Sequence, residues 1–321
     1  MDQAGVLSEA NMARPAAAGD YLELMKPRII MLVVFTALVG LVVAESVTGV
    51  GMNPVMAGIS ILAVALGSGA AGAINMWYDA DIDAIMTRTA TRPVPAGTIP
   101  RAEALTLGIV MSAVSILLMW LSSNILAACL LAISIAYYGW FYTMLLKRRT
   151  PQNIVIGGAA GAFPPVIGWA AVTGNLTLDA WILFAIIFFW TPPHFWALSL
   201  VAHKEYEKAG VPMLPVTHGA KNTRWHVLAY TALLAPIAIS PVFTQLGGWL
   251  YLATSAVLSA GFMGFAVKLF FSRAGEADAG ASERKLAMSM FAFSILFLFA
   301  LFAALLIEHG LGAYIPVEAF K

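Results

Sequence analysis

Nine stretches of about 20 apolar residues run through this chain, and a helix needs roughly that many to cross the hydrocarbon core of a bilayer. They lie near 29–45, 54–77, 103–121, 125–146, 153–172, 181–201, 226–244, 249–271 and 286–307. Segments of this length read as spanning helices. Composition agrees. The chain is 60% hydrophobic and 11% charged, where a soluble domain carries about 25% charge. The expected fold class is all-α: a polytopic integral membrane protein with nine transmembrane helices.

The connections alternate in charge. Those at 46–53, 122–124, 173–180 and 245–248 hold no Lys or Arg, whereas those at 78–102, 147–152, 202–225 and 272–285 are basic. With a cytosolic N-terminus, seventeen of the eighteen Lys and Arg residues fall on the cytosolic side, leaving only Lys321 outside. This positive-inside asymmetry fixes an odd helix count and an extracytoplasmic C-terminus. A net charge of +1 offers no field for nucleic acid. The single cysteine, Cys129, lies in an apolar run and has no internal partner for a disulfide. Residues 1–19 lack the apolar run of a secretory signal and read as a mobile cytosolic tail. Residues 20–310 form one domain, and 311–321 form an extracytoplasmic tail.

Within the segment DYLELMKPRI (20–29), a short interfacial helix is expected, with Asp20 and Glu23 at capping-box spacing and Pro27 breaking it. SGAAGA (68–73) and GGAAGA (157–162) place small residues four apart. That spacing packs helices closely or leaves room for a large ligand between them.

The unusual chemistry is in NMWYDADIDAIMTRTATRPVPAG (75–97). If the second helix continues past the membrane surface, Asn75, Asp79 and Asp83 share one face, with Asp81 nearly opposite Asp79. Two carboxylates and an amide oxygen are hard ligands suited to Mg2+ beside phosphate oxygens. Arg88 and Arg92 follow four apart and can grip phosphate, with Pro93 and Pro95 stiffening the chain. The pattern predicts a magnesium–diphosphate site at the cytosolic mouth of a helical bundle, where a merely basic loop would need no aspartates.

A second polar segment, HKEYEKAGVPMLPVTHG (203–219), follows the sixth span on the same side. By itself it is a solvated helix end. Its place four helices after the first cluster suggests two matching halves whose polar segments face each other. Tyr142 and Lys147 could reach the same site, although Lys147, Arg148 and Arg149 also serve as positive-inside anchors. In FFWTPPHFWALS (188–199), Pro192 and Pro193 are expected to break the sixth helix, with His194 beside the break. An ionisable residue at membrane depth is a functional candidate by default.

These residues carry a resemblance. Asn75-x-x-x-Asp79-x-x-x-Asp83 followed by Arg92-Pro93 resembles the first aspartate-rich motif of the UbiA-type intramembrane prenyltransferases. LMKPRI (24–29), RRTPQNIVIGGAAGAFPPVIGWAAVTG (148–174), WTPPHFWAL (190–198) and AGVPMLPV (209–216) narrow it to the heme-farnesylating branch. The resemblance covers about residues 20 to 307. It implies nine helices around a central cavity and transfer of the farnesyl group of farnesyl diphosphate to the 2-vinyl group of heme b, giving heme O. It implies Mg2+ on Asn75, Asp79 and Asp83, with Glu205 and Glu207 for a second ion or Lys204 in its place. Arg88, Arg92 and Lys147 would neutralise the leaving group. Lys26, Arg28, Tyr142, Arg148, His194, Phe195, Trp196 and Tyr206 would contact substrates. It further implies a bacterial cytoplasmic (inner) membrane location and a downstream heme A synthase as partner.

Two other readings compete. A transporter would place its ionisable residues near the midplane, whereas these aspartates sit at one surface. A prenyltransferase for a quinone precursor would share the aspartate motif but not WTPPHFW or AGVPMLPV.

Overall fold

The computed structural model describes residues 15–244 and 246–317. Among the described residues there are helices and no strands. A short helix α1 (Ala18–Leu24) precedes the first span, α2 (Pro27–Thr48). Asp20 occupies the third position of α1, where its Oδ2 accepts from the Ala17 N–H at 2.8 Å. The helix therefore starts earlier than its expected cap at Asp20 and ends before Pro27. The break falls at Lys26, whose φ of 60° is left-handed. Pro27 then opens α2, since a first-turn proline has no N–H to waste.

The second span, α3 (Pro54–Tyr78), is followed by a one-residue joint at Asp79 and a short helix, α4 (Ala80–Ile85). Next come α5 (Arg101–Ser122) and α6 (Ile125–Ala136), which widens into a π-helical stretch, Tyr137–Leu146. The remaining spans are α7 (Asn153–Thr173), α8 (Leu178–Lys208), α10 (Gly219–Ile239, extended by a 3-10 turn), α11 (Trp249–Phe271) and α12 (Ala281–Gly310). A single-turn helix, α9 (Leu214–Thr217), lies between α8 and α10. Nine of these helical segments, among the described residues, are long and apolar enough to cross a membrane. The protein is an integral membrane protein, and the expected spans hold to within a few residues at most ends.

Neighbouring spans pack in sequence order, and α12 closes the ring against α2 and α8. The tightest cross-ring contact joins α2 to α7. A Cβ on Gly40 would lie 2.2 Å from the Pro165 carbonyl oxygen, and one on Gly168 would lie 2.1 Å from that of Ala37. Both must therefore be glycine. In the two small-residue runs, Gly69 and Gly72 pack on Met25 and Leu24, Gly157 on the Tyr142 ring and Gly158 on Thr191. Only Gly161 opens onto free space. Close packing accounts for most of these positions, and clearance for one.

The expected break at Pro192–Pro193 does not occur. The helix α8 runs unbroken through both prolines for 31 residues. At about 1.5 Å per residue this is ~46 Å, longer than a hydrocarbon core of ~30 Å. The polar residues 203–208 form its last turns. Two small apolar clusters then fix the loops at this end of the bundle. Leu24, Ala73, Met76, Val94 and Ile99 seat the 78–102 loop. Ile82, Met86, Ile154, Tyr206, Val211 and Met213 tie that loop to the 202–225 segment.

At the other end, buried Glu308 accepts from the backbone N–H groups of Gly248 (2.8 Å) and Tyr251 (2.9 Å), capping α11. Of the expected tail at 311–321, the described residues 311–317 fold back, with the Trp249 N–H donating to the Ile315 carbonyl at 3.1 Å. Most of the expected N-terminal tail, residues 1–14, and the last four residues lie outside the described residues.

Candidate active site

The ladder of Asn75, Asp79 and Asp83 survives the joint between α3 and α4. The Asp79 N–H donates to the Asn75 carbonyl at 2.9 Å, and the Asp83 N–H to the Asp79 carbonyl at 2.8 Å. Helical i to i+4 spacing is therefore kept, and the three side chains fall on one face. All three are buried; Asp79 has no exposed surface at all.

Burying an unpaired carboxylate is costly, and the fold supplies cations. Lys147 Nζ lies 2.5 Å from Asp79 Oδ2, and Arg92 Nη1 lies 2.6 Å from Asp83 Oδ2. Lys26 Nζ bonds Asn75 Oδ1. Thus each rung of the ladder holds at least one cation of the same chain. Asn75 Nδ2 donates to Asp79 Oδ2 at 2.8 Å and to Thr143 Oγ1 at 2.9 Å, which fixes which end of the amide faces Lys26.

Local backbone aims these groups. The left-handed turn at Lys26 points its side chain into the site, beneath Tyr138, whose ring centroid is 5.9 Å from Nζ. Burial and the nearby charges of Arg92 and Lys147 depress its pKa to about 7. The π-helical stretch closes an i to i+5 bond, Lys147 N–H to the Tyr142 carbonyl at 2.9 Å, and the Thr143 hydroxyl donates to the Tyr138 carbonyl at 2.8 Å. The wider turn sets Tyr138, Thr143 and Lys147 against the ladder. Asn153 Nδ2 holds the Lys147 carbonyl at 3.2 Å.

Arg148 is placed differently from the expectation of a substrate contact. It grips exposed Asp81 with two bonds, at 2.6 and 2.7 Å, touches Asp79 at 3.4 Å and lies over Tyr78. That fork holds the Asp81 carboxyl down at about 2 and raises the Arg148 guanidinium further above its usual range. Asp81 is thus an anchor for Arg148 and stands apart from the ladder.

The two polar segments do meet. Arg88 Nη2 reaches the Tyr206 hydroxyl at 3.4 Å. Lys204 and Glu207 are exposed and Glu205 is half-buried, and none makes a hydrogen bond or ion pair among the described residues. Because α8 is regular there, Glu205 and Glu207 lie about 160° apart around it. Arg28 is exposed and makes no such contact among the described residues either.

His194 sits deeper on α8, about 14 Å below His203 along the helix. It is stacked between Trp190 (4.3 Å between centroids) and Phe291 (4.5 Å), with Phe195 edge-on at 5.3 Å. Its Nδ1 pairs with Ser294 Oγ at 2.6 Å. Trp196 is correspondingly buried on another side, against His226 and Tyr230 of α10. It is a packing residue in this structure.

Thr143, Tyr138 and Ser294 lie in none of the motifs read from the sequence, and Asn153 lies in the 148–174 run without a role of its own. Their types are common in membrane helices, and only the fold brings them to the site.

The donor set fits Mg2+. Three hard oxygen ligands lie in line and already hold cationic groups. Among the described residues no three His, Cys, Asp or Glu side chains converge by themselves, as expected where phosphate oxygens complete the shell.

A sequence model of the UbiA prenyltransferase family matches residues 33–295. The chain belongs to that family. It is 67% identical over 304 residues to a protoheme IX farnesyltransferase of Hyphomonas neptunium, covering 95% of this chain and 96% of that one. It is 53% identical over 317 residues to one of Caulobacter vibrioides, covering 94% of each. Among solved structures, it resembles a digeranylgeranylglyceryl phosphate synthase with a TM-score of 0.72 at 18% identity, over 90% of this chain and 97% of that one. It also resembles a UbiA homolog from Archaeoglobus fulgidus bound to GPP and Mg2+, with a TM-score of 0.63 at 16% identity, over 89% and 99%. These two likenesses speak to the fold alone. The chain is thus a membrane prenyltransferase of all-α, nine-span architecture.

Proposed function

We propose that this enzyme transfers the farnesyl group of farnesyl diphosphate to the 2-vinyl group of heme b, with addition of water, giving heme O and diphosphate. The observation that carries the reading is the buried acidic ladder with its ring of Lys26, Arg92 and Lys147. The relatives' shared activity selects the substrates. The acceptor at the level of a quinone precursor finds no support in relatives of this identity.

Asn75, Asp79 and Asp83 would hold Mg2+. When bound, the ion would neutralise the diphosphate and favour its departure as a leaving group. The chain's own part is electrostatic and spatial. Lys147, Arg92 and Lys26, held at the ladder, face the place where negative charge develops, and a preorganised cation there lowers the barrier without reorganisation. Arg88, exposed at the mouth beside Tyr206, would meet the incoming diphosphate. Arg148, tied to Asp81, steadies Asp79. Loss of diphosphate leaves an allylic cation at farnesyl C1; the vinyl carbon attacks it, and water completes the hydroxyethylfarnesyl group. Tyr138, Tyr142 and Phe195 can face the cation, an attraction of about 0.5–2 kcal/mol each.

His194 would face the heme, with neutral imidazole a usual ligand to its iron. We place the protein in the cytoplasmic membrane with a cytosolic N-terminus, handing heme O to a heme A synthase. Incubation of purified protein with heme b, farnesyl diphosphate and Mg2+, followed by mass spectrometry, tests the reading. A product heavier by one farnesyl group and one hydroxyl is expected; unaltered heme with consumed farnesyl diphosphate would sink it.

A further inference from the structure

His194 is held far more tightly than a packing histidine requires. Its ring is clamped on both faces, by Trp190 from its own helix and Phe291 from α12, with planes inclined at only 21° and 24°. Trp190 is itself anchored, its indole N–H donating to the Ser294 carbonyl at 2.7 Å. Ser294 therefore serves both residues: its carbonyl fixes the tryptophan and its hydroxyl fixes the histidine.

The hydroxyl decides the tautomer. Ser294 Oγ lies 2.6 Å from the Phe291 carbonyl oxygen and 2.6 Å from His194 Nδ1. A carbonyl can only accept, and a serine hydroxyl has one proton. If that proton turned to Nδ1, two oxygen lone pairs would face each other at 2.6 Å with nothing between them. Both contacts are satisfied only when Ser294 donates to Phe291 and the His194 Nδ1–H donates to Ser294. The neutral ring then carries its lone pair on Nε2, and Nε2 makes no hydrogen bond among the described residues.

An oriented imidazole with one N–H tied to an oxygen and the other nitrogen open is the arrangement of a metal ligand. We infer that Ser294 is a positioning residue that locks His194 as the Nδ1–H tautomer, so that Nε2 coordinates the iron of the heme substrate. This rests on the heme-farnesylating reading. It adds a binding role for the deep end of the site: the porphyrin is fixed by its iron while its vinyl edge faces the cation site above. A structural histidine would need the Ser294 bond but would gain nothing from a second ring nitrogen left without a partner.

The test has two independent readouts. First, nitrogen-15 NMR of histidine-labelled, ligand-free protein in bilayers, with His194→Ala to assign the signals, reports the tautomer. Protonated Nδ1 and bare Nε2 are expected, and protonated Nε2 would overturn the inference outright. Second, ferric heme b is titrated without farnesyl diphosphate, following the Soret band and the iron spin state. His194→Ala should lose the axial nitrogen signature. Ser294→Ala should bind heme at least tenfold more weakly, with Ser294→Thr, which keeps the hydroxyl, close to wild type. Identical heme spectra in wild type and His194→Ala would remove iron ligation, while leaving farnesyl transfer, measured separately by mass spectrometry, intact. Should Ser294→Ala fail to fold, the wild-type tautomer and the His194→Ala spectrum still decide the matter.

Discussion

Asp79 is an acid with no contact with solvent, and its charge is sustained by Lys147 at 2.5 Å, Arg148 at 3.4 Å and the Asn75 amide. Asp79→Asn and Asp83→Asn keep the shape and remove the charge. Each is expected to lower turnover by at least about 100-fold, the scale for loss of one transition-state electrostatic contact, while the melting temperature stays near wild type. Turnover within tenfold of wild type in both would count against a magnesium–diphosphate role. Lys147→Met probes the same bond from the other side. It leaves Asp79 with the Asn75 amide at 2.8 Å and Arg148 at 3.4 Å, so it should cost stability of up to about 3 kcal/mol, the low end of the scale for breaking a buried pair. It should also tighten Mg2+ binding in the absence of diphosphate, because Lys147 no longer competes for Oδ2. Calorimetry on both proteins checks the two effects. The ladder itself was legible in the sequence, since i to i+4 spacing is local. Its counter-charges were not: Lys147 lies 68 residues away and Lys26 lies 49 away from their partners, and only the packed fold determines which cation meets which acid.

Two helices show how far local rules extend. The Pro192–Pro193 pair predicted a break, yet α8 remains continuous. Proline removes two hydrogen bonds, and in a membrane helix packing against neighbours can absorb that loss. On α6 the reverse happened. Nothing in YYGWFYTMLL signals a π-helix, yet that widening sets Thr143 and Lys147 on the ladder. Glycines separate more cleanly by their surroundings than by their spacing. Gly168→Ala drives a methyl to 2.1 Å from the Ala37 carbonyl oxygen, a backbone atom, whereas a methyl at Gly161 meets nothing within 4 Å. The first should destabilise the α2–α7 contact by about 1–3 kcal/mol, the usual scale of overpacking. The second should leave the melting temperature unchanged. Thermal unfolding in the same detergent compares them; equal melting temperatures would mean that α2 and α7 have room to part.

At the scale of the whole molecule, the ring of spans brings the 78–102 loop and the 202–225 segment together on one side, through Arg88–Tyr206 and the apolar cluster beneath them. That pairing followed from counting helices: two segments four spans apart must emerge on the same face. The direction of that face follows from charge. Lys and Arg concentrate in the loops that carry the ladder, and the loops opposite hold none. Moving such charges across a membrane is costly and biased by the insertion machinery, so the ladder side is predicted to be cytosolic, where farnesyl diphosphate, too polar to cross the bilayer, would have to reach it. The check uses single cysteines in a Cys129→Ala background. A cysteine at Asn175, in the short uncharged turn after α7, should react with a membrane-impermeant thiol reagent added to intact cells. One at Thr98, in the ladder loop, should react only after the cells are opened. Labelling at Thr98 and protection at Asn175 in intact cells would invert the molecule and put the diphosphate site on the wrong side of its substrate.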